Sequence, residues 1–149
     1  PDVRGYGETG GPINWQHAQE DTLVWLDWLA AQPGVRADTV WTVGSSMGAN
    51  LAVIGCADFE SCAGSVAVSP GRNYFGYTPL APALDALSER DTPVWFITSE
   101  RDGYPALAAR QLAPDYPNVM VEWLPGNAHG IDLLDEATVA EVIGWLASG

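Results

Sequence analysis

Short apolar runs alternate with amphipathic segments along this chain. Each of the four runs is rich in β-branched or aromatic residues and is bounded by Gly, Pro or Ser, which is typical of buried strands. The predicted strands cover residues 40–43, 65–68, 94–98 and 119–124. Helical periodicity and breakers predict helices at residues 14–31, directly after Ser46, at 105–112 and at 136–147. This alternation predicts an α/β fold, in which helices cover both faces of a parallel sheet.

The apolar positions of the predicted helices indicate which side of each helix meets the sheet. In the first helix these positions recur near the helical period, and the acidic residues fall elsewhere on the helical wheel. Its predicted buried face consists of Ala18, Thr22, Trp25, Leu26 and Leu29. The second helix offers a small-residue face of Gly48, Ala49 and Ala52. The last helix is predicted to bury Val139, Val142, Ile143 and Leu146.

Composition narrows the class of protein and of partner. The length of 149 residues fits a single domain, residues 1–149, and 47% apolar residues suffice for a buried core. Six arginines, no lysine and nineteen acidic residues give a net charge of −13. We therefore expect no nucleic-acid partner and no anionic membrane surface, because both would repel the chain. No stretch approaches the roughly 20 consecutive apolar residues that cross a bilayer.

The two cysteines, Cys56 and Cys62, are close together in the sequence. They lack the paired spacing of a zinc site. Two interpretations stay open: two small buried thiols, or a local disulfide that contributes about 2 kcal/mol through loop entropy. A disulfide would favour a secreted or periplasmic protein, because disulfides persist in oxidising compartments.

Residues 44–48 read Gly-Ser-Ser-Met-Gly and match the nucleophile-elbow pattern G-x-S-x-G. In such an elbow a strand turns sharply into a helix, and we expect a Cβ at Gly44 or Gly48 to collide with the neighbouring backbone. The turn lifts the Ser46 hydroxyl into solvent at the carboxyl end of the strand. The start of the following helix offers N–H groups to a developing oxyanion, and we predict the N–H of Met47 as a donor.

A nucleophilic serine needs a general base and a group that orients the base. Asp102 follows the third predicted strand, and His129 follows the fourth, within the sequence Gly-Asn-Ala-His-Gly. Because open α/β folds place their sites at the carboxyl edge of the sheet, Ser46, Asp102 and His129 are predicted to meet there. Glu100 is the second candidate for the acid, although it stands nearer the strand. His17, within a helical pattern, is predicted to be a surface residue.

The chain resembles the catalytic half of bacterial α/β-hydrolases of the esterase and dienelactone-hydrolase-like group. The resemblance covers essentially the whole chain. It rests on residues 2–7 (Asp-Val-Arg-Gly-Tyr-Gly), 44–48, 69–71 (Ser-Pro-Gly), Asp102 and 128–130 (Ala-His-Gly). It implies Ser46 as nucleophile, His129 as general base and Asp102 as the orienting acid. Dienelactone hydrolases use a cysteine nucleophile, so the serine indicates ester hydrolysis, for which no metal or organic cofactor is expected.

The resemblance also identifies strands that this sequence lacks. In the family, the Asp-x-Arg-Gly-x-Gly segment follows a fourth strand, and the third strand pairs with the strand that ends at the nucleophile. The loop after that third strand donates the second oxyanion N–H, whose loss costs about 10²–10³ in rate. Residues 40–43 are therefore predicted to form an open apolar edge. Three explanations fit: a piece of a longer or processed protein, which we favour, a homodimer that covers the edge, or a degenerate domain that catalyses poorly.

We predict a serine hydrolase that cleaves carboxylic esters through an acyl-enzyme. About 25 residues separate Pro70 from the next strand, too few for a lid domain, so we expect an open site for small or short-chain acyl groups. The predicted substrate contacts are Tyr6, Tyr74 and Tyr104, with Phe75 and Tyr77 nearby. Two alternatives stay open: amide or peptide hydrolysis by the same triad, and a non-catalytic binding or assembly module.

Overall fold

Four parallel strands form one sheet in the computed structural model, which describes residues 2–148. They are β1 (Val40–Ser45), β2 (Cys62–Val68), β3 (Val94–Ser99) and β4 (Val119–Leu124), side by side in that order. Ser45 pairs with Val68, and Val68 pairs with Ile97, so neighbouring strands end at the same edge of the sheet. The four predicted strands and the parallel α/β architecture are confirmed.

Five α-helices connect and flank the strands. They are α1 (Trp15–Ala30), α2 (Met47–Asp58), α3 (Leu80–Glu89), α4 (Gly103–Leu112) and α5 (Glu136–Ser148). Four of them lie where the sequence predicts helices, except that α4 begins two residues before Pro105. Within residues 2–148, no helix has the length and hydropathy to cross a bilayer.

The sequence analysis predicts no helix at α3, although the apolar residues of this segment follow the helical period. Leu80, Leu84 and Leu87 follow the helical period and are buried. Pro82 interrupts the apolar run and resembles a breaker, but it stands in the first turn, where a missing N–H breaks no helical hydrogen bond. The segment between β2 and β3 is thus a loop followed by one ten-residue helix.

The larger core lies between one face of the sheet and helices α1–α4. Ala67 and Phe96, which are register partners on β2 and β3, point into it and are fully buried. Burying a side chain as large as Phe96 contributes about 1.5–3 kcal/mol. Ala49 and Ala52 of α2 are buried as predicted, and their small size lets α2 pack closely on β1 and β2.

Helix α5 covers the opposite face and is rotated from its predicted orientation. Val142 is buried against this face, whereas Val139 and Ile143, also predicted to be buried, are 38% and 60% exposed. The reason is Trp145, whose ring meets Trp41 of β1 edge-on at 4.7 Å between centroids. Filling this space with an indole ring turns the neighbouring side of the helix outward.

The outer edge of β1 is open over the part of the chain that the structure describes, as the sequence predicts. Beside it lies a groove of about 650 Å³, lined mainly by apolar residues of α1 and β1. Leu29 of α1, predicted to be buried, lies in this groove and is exposed. Val43 of β1 is half exposed there as well. The exposure follows from the open edge, because no neighbouring strand covers these side chains.

Cys56 and Cys62 form a disulfide, which decides between the two interpretations of the cysteine pair. It joins the end of α2 to the first residue of β2. Both cysteines are buried in the larger core. The bond therefore closes the short turn between the helix that follows Ser46 and the neighbouring strand.

Removing this disulfide is expected to destabilise the fold without abolishing it. The closed loop is short, so the loop-entropy model gives a loss of about 2 kcal/mol in the free energy of unfolding. Urea denaturation of the oxidised protein and of the Cys56→Ser/Cys62→Ser variant measures this difference. Alkylation of both thiols in the unreduced protein, detected by intact mass, would contradict the pairing.

Candidate active site

Ser46 occupies a sharp turn between β1 and α2. Its φ angle of 56° lies in the left-handed region, which residues other than glycine rarely adopt. The backbone N–H of Ser46 donates to the carbonyl of Val68 at 2.8 Å, which fixes the turn against β2. This strained, anchored turn places the Ser46 hydroxyl at the carboxyl edge of the sheet, as the elbow pattern predicts.

The two glycines of the elbow have different roles. A Cβ on Gly44 would lie 2.0 Å from the carbonyl oxygen of Gly48, so glycine is required for β1 and α2 to approach this closely. The collision predicted at Gly48 is wrong, because a Cβ there would meet no atom within 4 Å outside its own helix. Gly48 instead faces the open groove beside β1.

His129 lies between Ser46 and Asp102 within hydrogen-bond distance of both. Its Nε2 is 2.9 Å from Ser46 Oγ, and its Nδ1 is 2.9 Å from each carboxylate oxygen of Asp102. Asp102 is buried, whereas about half of the His129 side chain is exposed. The structure thus brings together the three residues that the sequence places in one site.

The loops after β3 and β4 hold Asp102 and His129 in this position. Asp102 directly precedes α4, and its carbonyl accepts the N–H of Ala106 in the first turn. The hydroxyl of Ser99, the last residue of β3, donates to the carbonyl of Ala128 at 2.7 Å. Glu100, the second candidate for the acid, is exposed, and Asp102 is the carboxylate beside His129.

This arrangement allows proton transfer from the serine. An ionised carboxylate only accepts hydrogen bonds, so the Asp102 side favours a proton on Nδ1 of His129. Nε2 is then unprotonated and can accept the hydroxyl proton of Ser46. Met47 is the first residue of α2, so its N–H has no partner within the helix and is available to an oxyanion beside Ser46.

The three tyrosines predicted to bind substrate make different contacts. The Tyr74 hydroxyl donates to the carbonyl of Ser69 at 3.0 Å. Burial raises the pKa of the Tyr74 phenol. Tyr104 packs edge-on against Tyr74, with 5.5 Å between ring centroids. Tyr6 contacts Trp15 instead, at 5.6 Å between centroids.

Ser69 belongs to the site, but the sequence pattern gave no role for it. It follows the last residue of β2, and its hydroxyl donates to Oδ2 of Asp102 at 2.6 Å. The available signal was position: a polar residue directly after a buried strand reaches the same edge as the residues after β1 and β3. In the sequence, Ser69 bounds the second predicted strand and belongs to the Ser-Pro-Gly segment of the family resemblance, and neither feature indicates a contact with Asp102.

Other titratable residues lie apart from this cluster. His17, predicted to be at the surface, is exposed on α1, with Nδ1 2.8 Å from a carboxylate oxygen of Glu20. Across residues 2–148, no group of three or more His, Cys, Asp or Glu side chains is arranged to hold a metal ion.

Comparison with known proteins identifies solved structures of similar fold. The esterase Pf2001 of Pyrococcus furiosus is 19% identical with a TM-score of 0.70, over 99% of this chain and 68% of the esterase. An alpha-beta serine hydrolase homologue from Coxiella burnetii is 20% identical, with a TM-score of 0.69, over 97% of this chain and 64% of that one. Est1E from Butyrivibrio proteoclasticus is 14% identical, with a TM-score of 0.68, over 92% and 72%.

These structures share the fold, and this chain spans about two thirds of their length. No curated protein sequence matches it. The model of the α/β-hydrolase fold family matches residues 1–142, which is nearly the whole chain. The protein therefore belongs to the α/β-hydrolase family.

Proposed function

We propose that the protein is a serine hydrolase that cleaves carboxylic esters. The observation that carries this proposal is the row of hydrogen-bonding groups from Ser46 through His129 to the buried carboxylate of Asp102. Such a row activates a hydroxyl that is otherwise a weak nucleophile at neutral pH. The membership of the α/β-hydrolase family supports the same reading, because that fold presents these groups on three loops at one edge.

In the proposed reaction, Ser46 Oγ forms a bond to the acyl carbon while its proton passes to Nε2 of His129. The negative charge moves to the carbonyl oxygen, which the N–H of Met47 receives. His129 then gives its proton to the departing alkoxide as the ester bond breaks. Water, deprotonated by the same imidazole, releases the acyl group and regenerates Ser46. Throughout, Asp102 holds the imidazole in one tautomer and stabilises its charged form.

The surroundings of Ser46 favour small or short-chain acyl groups. The chain between β2 and β3 consists of one loop and α3, which leaves His129 half exposed. We propose Tyr74 as the aromatic contact nearest the acyl group. Tyr104 packs against it, and Tyr6 is connected to it through the rings of Trp15 and Phe75. Esters with long or branched acyl chains would gain little burial on so open a surface.

The open edge of β1 bears on both activity and assembly. We propose that this edge is covered, either by a preceding segment of a longer chain or by a second copy of this one. The apolar groove between α1 and β1 supports this, because exposed apolar edges are a liability in a monomer. We propose that a covering segment would also supply a second N–H to the oxyanion, in addition to the N–H of Met47. The disulfide supports a secreted or periplasmic location.

Fluorophosphonate labelling tests the nucleophile. We expect the folded protein to gain one adduct, located on Ser46 by peptide mass spectrometry, and the Ser46→Ala variant to gain none. Ser45→Ala is the matched control, since it removes the neighbouring hydroxyl and should still be labelled. A folded parent that acquires no adduct would favour the non-catalytic module.

The preference for esters over amides is tested on the same proteins with p-nitrophenyl acetate and the corresponding anilide. We expect the ester to be cleaved and the anilide to remain. Preferential cleavage of the anilide would support the amide-hydrolase alternative instead. Full esterase activity in Ser46→Ala would overturn the proposed nucleophile.

Asp102→Asn is expected to lower kcat by up to about 10⁴, with a smaller change in KM. The amide can donate to Nδ1 of His129, which moves the imidazole proton to Nε2 and removes the acceptor for Ser46. Steady-state hydrolysis of p-nitrophenyl acetate measures the loss. Glu100→Gln is the control for removing a nearby acidic charge, and an equal loss in both variants would contradict the role of Asp102.

A preparation of these 149 residues alone is expected to self-associate through β1. Sedimentation should give at least twice the monomer mass of 15.9 kDa. Val43→Lys should shift the protein towards monomer by placing a charge in the groove. Met120→Lys, at a similarly exposed position on the other edge strand β4, is the control. A monomer at every concentration would rule out coverage by a second copy, and equal effects of both variants would contradict a contact through β1.

A further inference from the structure

Ser69 combines a strained backbone with complete burial. It follows β2, its φ is 52°, and it is fully buried. A residue with a Cβ pays a conformational penalty in this left-handed region that glycine avoids. Such strain persists only where the surroundings fix the residue, and it occurs often at functional sites. The backbone here is held on both sides, by a bond from Ser69 N–H to the Ile97 carbonyl and one from the Tyr74 hydroxyl to the Ser69 carbonyl.

The Ser69 hydroxyl connects the two loops that carry Asp102 and His129. It donates to Oδ2 of Asp102 at 2.6 Å and accepts the backbone N–H of Gly130 at 2.9 Å. The same carboxylate oxygen lies 2.9 Å from Nδ1 of His129. One buried hydroxyl therefore fixes both the carboxylate that contacts the imidazole and the loop that carries the imidazole.

A second serine isolates the part of this contact that matters. Ser99 also anchors the His129 loop, by donating to the carbonyl of Ala128, and it is also buried. Asp102 has no contact with the Ser99 hydroxyl among the hydrogen bonds described, whereas it accepts directly from Ser69. Comparing the two serines therefore separates an effect on the carboxylate from an effect on the loop alone.

We infer that Ser69 is a positioning residue, whose hydroxyl fixes the Asp102 carboxylate in the orientation that holds the His129 imidazole in one tautomer. The inference rests on the proposed function and extends the Ser46–His129–Asp102 row by a fourth residue. An unanchored carboxylate can turn about its terminal torsion, which is broad, and present only one oxygen or none to Nδ1. The hydroxyl and the Gly130 N–H together prevent that rotation and the accompanying shift of the loop.

The test uses Ser69→Ala with Ser99→Ala as the matched control. Ser69→Gly is the second variant, because glycine accepts the left-handed backbone and keeps the fold where alanine fails. We expect kcat for p-nitrophenyl acetate to fall about ten- to hundredfold in both Ser69 variants, with KM changed less than about twofold. Ser99→Ala should lower kcat by a smaller factor.

The imidazole nitrogen chemical shifts provide a readout that a merely structural role would not move. The chain has two histidines, and exposed His17 serves as the internal reference. We expect His129 to show the Nδ1–H tautomer in the parent and in Ser99→Ala, and a mixture of tautomers in the Ser69 variants. Parent-like nitrogen shifts in folded Ser69→Ala, or a kcat within about twofold of the parent, would overturn the inference.

Two further outcomes also decide the matter. Unfolding of both Ser69→Ala and Ser69→Gly would overturn the positioning role, because Ser69 would then be needed for the fold itself. A parent that hydrolyses no ester and takes no fluorophosphonate would end the proposed function. The nitrogen shifts would still report whether Ser69 fixes the imidazole, so the two failures are distinguishable.

Discussion

The imidazole of His129 has to reach an acid on one side and a hydroxyl on the other, and the rest of the structure serves that constraint. Both contacts are 2.9 Å, a distance that small shifts of a loop would break. Parallel pairing meets this demand, since it ends neighbouring strands at one edge of the sheet. Ser46, Ser69 and Asp102 lie within three residues of a strand end, so short segments of backbone fix all of them.

The strands and the turn at Ser46 could be predicted because local sequence determines them. The strands are short runs rich in β-branched or aromatic residues between breakers, and the elbow needs glycine at position 44 for close backbone approach. Other features depend on tertiary contacts that no local pattern contains. The face of α5 was predicted wrongly because Trp145 packs against Trp41, a residue far away in the sequence. The disulfide could not be predicted because it needs two Cα atoms within bridging range, and the turn between Cys56 and Cys62 sets their separation of 5.2 Å.

Ser46 adjoins the strand whose outer edge is open. Ser46 follows β1 directly, and the groove beside β1 is lined in part by Gly44 and Gly48 of the elbow. A segment or subunit that covered that edge would therefore lie beside Ser46. Relatives of similar fold are longer than this chain, which spans about two thirds of their length. The Ser46–His129–Asp102 row is assembled within residues 2–148.

The most direct test of the account is a crystal structure of the protein after reaction with a small organophosphonate. We expect phosphorus bonded to Ser46 Oγ and the phosphonyl oxygen within hydrogen-bond distance of the Met47 N–H. Nδ1 of His129 should remain within hydrogen-bond distance of the Asp102 carboxylate. Phosphorus bonded to another residue, or an imidazole that has left Asp102 while the adduct is on Ser46, would contradict it.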